Sequence, residues 1–282
     1  MNWQDFNGWA KKVADWATAY HLGLRDKPVR SASQPGDTLK LLPASAPEAP
    51  EDMAKIFQDV DDIIMPGMTH WQHPRFFAYF QSNAAPASMI AEMMVSSIAA
   101  QCMLWQTSPA ATELEIRMMD WLRQGLGLPA DFKGVIQDSA SAATLAAVLM
   151  MRNRALDMAS NQTGLAGKPA VRIYGSAQLH SSIDKAIWIA GVGQDNLVKI
   201  PVQGFARAMD IEALEAAITA DLAAGLKPAG VMVNVGGTSV GACDDVAGVI
   251  AVAKKYDLLT HVDAAWAGSA MICPEFRYLW QG

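Results

Sequence analysis

Apolar residues in the first turns of the chain fall on one helical face. Trp3, Phe6, Trp9, Val13, Trp16 and Tyr20 recur at steps of three and four, the spacing that stacks side chains along one side of a 3.6-residue helix. This pattern predicts an amphipathic helix over residues 2–21. So much aromatic surface on a terminal helix predicts docking onto something larger, for which a partner subunit is a candidate. Residues 28–50 are rich in Pro, Ser and Ala and read as an extended connection. A second amphipathic helix is predicted from Met53, Ile56, Phe57, Val60, Ile63 and Ile64, with Met65-Pro66-Gly67 ending it. Residues 84–105 carry Glu92 as their sole charge and are long enough to span a bilayer. Glu92, Gln101, Ser88, Ser96 and Ser97 make that run polar for a lipid-facing segment, so it reads as a buried helix of a large domain.

The pattern changes near residue 109. A helix over 109–125 is predicted to open at Ser108-Pro109, with Ser as N-cap and Pro at the first helical position. Short apolar runs then alternate with helical stretches. GVIQ (134–137) precedes a helix over 140–158, AVRIYG (170–175) one over 178–190, and NLVKI (196–200) one over 210–223. AGVMVNVG (229–236) precedes a helix over 244–256, and LLTHVD (258–263) is the last such run. Repeated strand–helix units with apolar strands indicate a mostly parallel sheet covered on both faces. Ligands of such sheets bind beyond the carboxyl ends of the strands. Chemistry is therefore sought at Asp138 to Ser141, Ser176 to His180, Gly236 to Ser239, and Asp263 to Ala265.

Composition narrows the reading only a little. The 282 residues are 51% hydrophobic and 18% charged, which is globular, and the net charge of −6 comes without a basic cluster. That balance argues against a nucleic-acid partner. Cys102, Cys243 and Cys273 are odd in number and widely spaced, which fits reduced thiols in the cytoplasm. Asp5 sits where a secretory leader would be basic and then apolar, so neither export nor a membrane is expected.

At the expected sheet edge, Asp138-Ser-Ala-Ser-Ala-Ala-Thr144 places hydroxyls at a strand-to-helix turn. Ser139, Ser141 and the helix N–H groups can hold a phosphate, or Ser139 is an ordinary cap. His180 opens the following helix, where an imidazole can stack on a flat ring or move a proton, or serve structure alone. Asp263 ends a core strand. A carboxylate there either pairs with a cationic nitrogen of a bound heterocycle or caps the next segment. GTSVG (237–241) matches a serine-hydrolase elbow only if a helix begins directly after Ser239. His70 and His73 form an H-x-x-H followed at once by Pro74, with no accompanying carboxylate, and are discounted as a metal site.

Taken together, HWQHPRFFAYF, TSPAATELEIRMMDWL, GVIQDSASAATL, LHSS and HVDAAWAGSAMICPEFRYL, in that order along nearly the whole chain, resemble the aromatic-L-amino-acid decarboxylase family. This is the group II branch of pyridoxal-phosphate-dependent decarboxylases. The resemblance implies the α/β fold of the aspartate-aminotransferase type (fold type I), incomplete in this chain. Residues 1–83 would be a helical segment wrapping a partner subunit, and 84–282 the large cofactor domain. The cofactor implied is pyridoxal 5′-phosphate (PLP) and the reaction is decarboxylation of an aromatic L-amino acid. Asp263 is similar to the aspartate that holds the PLP ring nitrogen protonated, His180 to the imidazole stacked on the ring, and Ala265 to the small residue on the opposite face. Ser139, Ala140 and Ser141 resemble part of the phosphate cradle, and Thr238 a threonine close to the cofactor. Trp71, Tyr79 and Phe80 fall in the substrate-pocket segment. Gln101 and Met103 fall in the segment that reaches the partner subunit's site, which implies a homodimer.

Some positions depart from the family pattern. Gln81 stands where animal members usually have Pro, and Asp138 where they have Gly. Gln101 and Met103 replace more apolar or aromatic types. The family's Schiff-base lysine lies in an Asn-Pro-His-Lys context, and no such tetrapeptide occurs here. The resemblance therefore leads to the expectation of a split, nicked or truncated enzyme. A second polypeptide would supply the lysine, the catalytic-loop tyrosine and the small C-terminal domain. Aldehyde synthesis within the same family, a non-catalytic binding or assembly role, and hydrolysis through Ser239 remain as alternatives.

Overall fold

The computed structural model of the chain describes residues 1–81 and 83–282. They form two compact units, Met1–Ala100 and Gln101–Gly282.

In the first unit, α1 (Trp3–Leu22) begins at a capping box. The Asn2 side chain accepts the Gln4 and Asp5 N–H groups at 2.8 and 3.1 Å, while the Asp5 carboxylate accepts the Asn2 N–H at 3.2 Å. The aromatic face of α1 is partly covered within the unit itself. Trp9 packs on Phe57 with ring centroids 5.9 Å apart, and the Trp16 indole donates to Asp61 at 2.8 Å. The tract over 28–50 is not wholly extended. Gly36, at φ +92°, leads into the short α2 (Asp37–Leu41), and the Asp37 carboxylate accepts the Gln34 N–H. α3 (Met53–Asp59) loosens into a π turn over Val60–Ile64 before Met65–Gly67 ends it. α4 (Pro86–Ile98) is shorter than the predicted 84–105 and, contrary to expectation, is exposed along its whole length in the single chain. Its apolar content marks it as a helix to be covered, and Ile90, Met94 and Ile98 are left exposed by the described residues.

The second unit opens with α5 (Pro109–Leu126), which has Pro at its first position as predicted. Ser108 stands at the N-cap position as predicted, but its side chain makes no capping bond: the hydroxyl donates instead to the Gln101 carbonyl at 2.9 Å. There follow α6 (Ala140–Ala155), α7 (Ser160–Thr163), β1 (Val171–Ser176), α8 (Ser181–Ile189), β2 (Leu197–Ile200), β3 (Val202–Gln203), β4 (Ala208–Met209), α9 (Ile211–Ala223), β5 (Lys227–Asn234), α10 (Val246–Lys255) and β6 (Leu259–Asp263). The main sheet runs β2-β1-β5-β6, all parallel, with β3 and β4 as a separate antiparallel ribbon.

Alternation along the strands builds two cores. On one face, Ile173 and Met232 pack with Val148 and Met151 of α6 and Ile183 and Ile187 of α8. On the other, Tyr174, Val231 and Val233 pack with Leu214 and Ile218 of α9 and Val249 and Val252 of α10. Each such side chain contributes roughly 1.5–3 kcal/mol when fully buried. Buried Tyr174 donates at 2.7 Å to the Asp221 carboxylate, which also accepts Arg172 Nε at 3.0 Å. This joins β1 to α9.

GVIQ (134–137) is not a strand. Val135 and Ile136 lie exposed, and the Ile136 N–H donates to Glu115 rather than to a ladder. A strand needs a neighbour, and none among the described residues pairs with this segment. The outer edge of β6 is likewise unpaired among the described residues.

Candidate active site

Three adjacent parallel strands end side by side at Ser176, Asn234 and Asp263. Asn234 and Asp263 are register partners, and the Val235 N–H donates to the Asp263 carbonyl at 3.0 Å. The segment after β5 folds back on itself. Gly236 and Gly237 both donate to the Ala242 carbonyl, at 2.9 and 2.8 Å, and the Asn234 side chain donates to the same oxygen at 3.2 Å. Thr238 stands exposed in the resulting turn.

Asp244 closes this loop. It is only 5% exposed, and its two carboxylate oxygens accept the Met209 and Asn234 N–H groups, each at 2.7 Å. Burial pushes its carboxyl group up, against the pull of those two bonds. Sequence reasoning missed Asp244. The available signal was the pair Asp244-Asp245 before a helix: Asp245 caps α10 through the Gly248 N–H, which leaves its neighbour free to turn inward.

Asp263 is half-buried at the tip of β6. One carboxylate oxygen accepts the Ala265 N–H at 3.2 Å, and no Lys, Arg or His among the described residues forms an ion pair with it. Leu259, His261 and Asp263 share the strand face that looks toward α6. His261 approaches the buried Thr144 hydroxyl of α6 at 3.4 Å. Ser139 is the N-cap of α6 and accepts the Ala142 N–H at 3.2 Å. The other N–H groups of the first turn need no intrahelical partner and point out of the helix end, beside Ala140 and the exposed Ser141. His180 caps α8: its Nδ1 accepts the Ser182 N–H at 3.2 Å and lies 2.8 Å from the Ser182 hydroxyl. The ring itself is exposed at the sheet edge. The turns after β5 and β6 meet where the Trp266 indole donates to the Gly236 carbonyl. Ala265 lies exposed just before that contact.

Seven of the predicted residues therefore share the carboxyl edge of one sheet: Ser139, Ala140, Ser141, His180, Thr238, Asp263 and Ala265. The remaining five lie elsewhere. Trp71, Tyr79 and Phe80 belong to the first unit, where Trp71 stacks on Tyr79 with centroids 5.5 Å apart. Gln101 and Met103 open the second unit with exposed side chains.

GTSVG is a turn, and the next helix starts only at Val246, so the elbow geometry is absent. Buried His70 and His73 make structural contacts. His70 Nδ1 meets the Tyr20 hydroxyl at 2.8 Å, and His73 meets the Arg25 carbonyl and the Arg75 N–H.

A carboxylate with no ion-pair partner among the described residues at a strand tip, together with a hydroxyl-flanked helix N-terminus at the same sheet edge, suits a flat cationic ring bearing a phosphate. Such a site on a parallel α/β sheet fits a PLP-binding enzyme domain. Residues 35–282 match the pyridoxal-dependent decarboxylase conserved domain, and the chain belongs to that family. The family's cofactor is pyridoxal 5′-phosphate.

The chain is 42% identical to aromatic-L-amino-acid decarboxylase of Sus scrofa, covering 100% of this chain and 60% of that protein. It is 41% identical to tyrosine decarboxylase 2 of Arabidopsis thaliana, covering 94% and 50%. It is 39% identical to phenylacetaldehyde synthase of the same plant, covering 98% and 57%. The crystal structure of Oryza sativa TDC with PLP and tryptamine superposes with a TM-score of 0.93 at 35% identity, over 100% of this chain and 62% of that one. Rhodiola rosea 4-hydroxyphenylacetaldehyde synthase gives 0.93 at 35% identity, over 100% and 61%. The chain thus spans 50–60% of the length of these curated relatives. No helix among the described residues is long and apolar enough to cross a membrane.

Proposed function

We propose that this chain supplies most of the cofactor pocket of a cytoplasmic, PLP-dependent decarboxylase that converts an aromatic L-amino acid to its amine and CO2. The observation that carries this reading is Asp263, a half-buried carboxylate with no cationic partner among the described residues, at the carboxyl edge of a parallel sheet. When bound, the cofactor supplies an electron sink for the electron pair left behind by the departing carboxylate. Asp263 holds a proton on the ring nitrogen through its charge. His180 covers one face of the ring, and Ala265 gives clearance on the other. Ser139, Ala140 and Ser141 hold the phosphate at the end of α6, with Thr238 close to the reacting groups. Trp71, Tyr79 and Phe80 offer aromatic surface to an indole or phenol side chain.

The assembly is a homodimer in which residues 1–83 wrap the partner, Gln101 and Met103 reach its site, and residues 84–282 form the cofactor domain. The exposed apolar side chains of α4 support an interface. An Asn-Pro-His-Lys segment outside residues 1–282 completes the sheet. The unpaired edge of β6 and the partnerless GVIQ segment support that addition. A second reading, aromatic aldehyde synthesis, is favoured by the likeness to phenylacetaldehyde synthase and 4-hydroxyphenylacetaldehyde synthase.

The test is intact-mass analysis and a visible spectrum of the purified protein. An assay with PLP and L-tryptophan, L-tyrosine or L-DOPA follows, with and without a polypeptide bearing the lysine segment. Amine and CO2 appearing only in the complemented mixture support the proposal, and aldehyde, ammonia and peroxide formed with oxygen consumption select the second reading. A complemented protein that takes up no PLP overturns both.

A further inference from the structure

Thr144 and His261 lie outside every role assigned so far, yet they connect the two ends of the cofactor site. Thr144 is 1% exposed in the second turn of α6, whose N-terminus carries Ser139 and Ser141. His261 lies in β6, two residues before Asp263 and on the same face of the strand. Their side chains meet at 3.4 Å between Thr144 Oγ1 and His261 Nε2. Residues two apart along a strand are separated by about 7 Å, so the imidazole stands immediately behind the Asp263 carboxylate. Met232 of β5 is its register partner and presents an apolar side chain to that face. Of the charged groups, Asp263 is the one that acts on the imidazole. Burial dominates over that attraction and pulls the ring's pKa down, which keeps it neutral at neutral pH.

We propose that the Thr144–His261 pair is a positioning device for Asp263, fixing the imidazole behind the carboxylate and holding the ring-nitrogen end of the cofactor site in register with the phosphate end. The inference rests on the reading of Asp263 as the partner of the cofactor ring. With the imidazole neutral, the charge of Asp263 is directed wholly at the ring nitrogen. When acid converts it to imidazolium, a second cation competes for the same carboxylate and cofactor affinity falls. Thr144 limits how far the imidazole can turn, because a buried hydroxyl seeks a partner and the imidazole is the one within reach.

The experiment is equilibrium dialysis of PLP against the complemented protein between pH 5.5 and 8, with far-UV circular dichroism as a check on folding. It compares the parent with Thr144→Val, Thr144→Ser, His261→Asn and Asp263→Asn. Titrations of free PLP are common to all five proteins. Thr144→Val is expected to weaken PLP binding about three- to tenfold, the equivalent of one net hydrogen bond, and Thr144→Ser to restore it. His261→Asn is expected to remove the extra loss of affinity that the parent shows below pH 6.5. If Asp263→Asn weakens binding while Thr144→Val and His261→Asn keep the parent's affinity and pH profile, the positioning role is overturned and the reading of Asp263 stands. If Asp263→Asn itself binds PLP like the parent, that reading fails and the positioning role fails with it.

Discussion

The indole N–H of Trp266 donates to the backbone carbonyl of Gly236. This one bond ties the turn that follows Asp263 to the turn that carries Thr238, so two candidate cofactor-contacting segments move as one. Gly236 permits the approach. Its φ of +80° lies in the left-handed region, and an added Cβ would come within 2.5 Å of Ala267 Cβ and 2.9 Å of Trp266 Cε2.

Gly236→Ala is therefore expected to destabilise the second unit by about 1–3 kcal/mol, from backbone strain together with overpacking. PLP binding should fall with it, since relief of the clash must displace Trp266. Urea unfolding followed by circular dichroism measures the first effect and dialysis against PLP the second. A variant with parent-like stability would show that the two turns can separate freely.

Asp263→Asn separates cofactor binding from folding. The carboxylate's structural duty is one turn bond from the Ala265 N–H, which an amide oxygen can also accept. Thermal unfolding should therefore shift little. PLP affinity should drop by about tenfold or more, because a charge-assisted bond to a cationic ring nitrogen contributes roughly 1.5–3 kcal/mol. Parent-like affinity in the variant would remove the central assignment of this site.

Much of this edge was legible in the sequence because its signals are local. Apolar runs located β1, β2, β5 and β6, and the residues after them delivered Thr238, Asp263 and Ala265 to one edge. What escaped depended on partners distant in the chain. GVIQ has the composition of a strand and finds no strand partner among the described residues. Ser108 has the right chemistry for a cap, yet the Gln101 carbonyl captures its hydroxyl. α4 reads as buried because apolar content specifies that a face is to be covered, and not by what. Asp244 and Thr144 look like ordinary loop and helix residues until the fold buries them. The Met209 N–H that Asp244 accepts lies 35 positions away, and the His261 that Thr144 meets lies 117 away.

Asp244 gives a prediction with two parts. Each of its oxygens accepts a backbone N–H, so in Asp244→Asn the amide NH2 must confront one of those donors. A loss of about 1–3 kcal/mol is expected from the unsatisfied donors. The sign of the pH effect follows from the direction of the shift. Burial raises the folded-state value above the unfolded one. The group's favourable linkage is therefore complete below the unfolded carboxyl range and is lost as pH rises through the folded value. The parent-minus-variant difference in unfolding free energy should accordingly shrink as pH rises from about 3.5 to 6. Chemical denaturation of both proteins across that range provides the check, and a pH-independent difference would mean that Asp244 does not titrate between the two states.

In the first unit the buried His70 and the half-buried Tyr20 set an acid limit on stability. The phenol and His70 Nδ1 are 2.8 Å apart, and the His70 side chain is almost wholly enclosed. Burial, followed by the nearby Lys27 and His73, pulls the imidazole's pKa down. A base lowered in the folded state contributes stability that is complete above its unfolded value and is lost as pH falls through the folded one. The first unit should therefore loosen on acidification below about pH 6.5, the ordinary imidazole range. Amide hydrogen exchange over α1 and the 65–76 segment is expected to quicken at pH 5.5 relative to pH 7.5, beyond the intrinsic change in exchange rate. Tyr20→Phe should cost roughly 1 kcal/mol at pH 7.5 by removing the phenol. His70→Gln, which cannot titrate, should flatten the acid response while Tyr20 keeps a polar partner. An unchanged acid response in His70→Gln would place the sensitivity elsewhere.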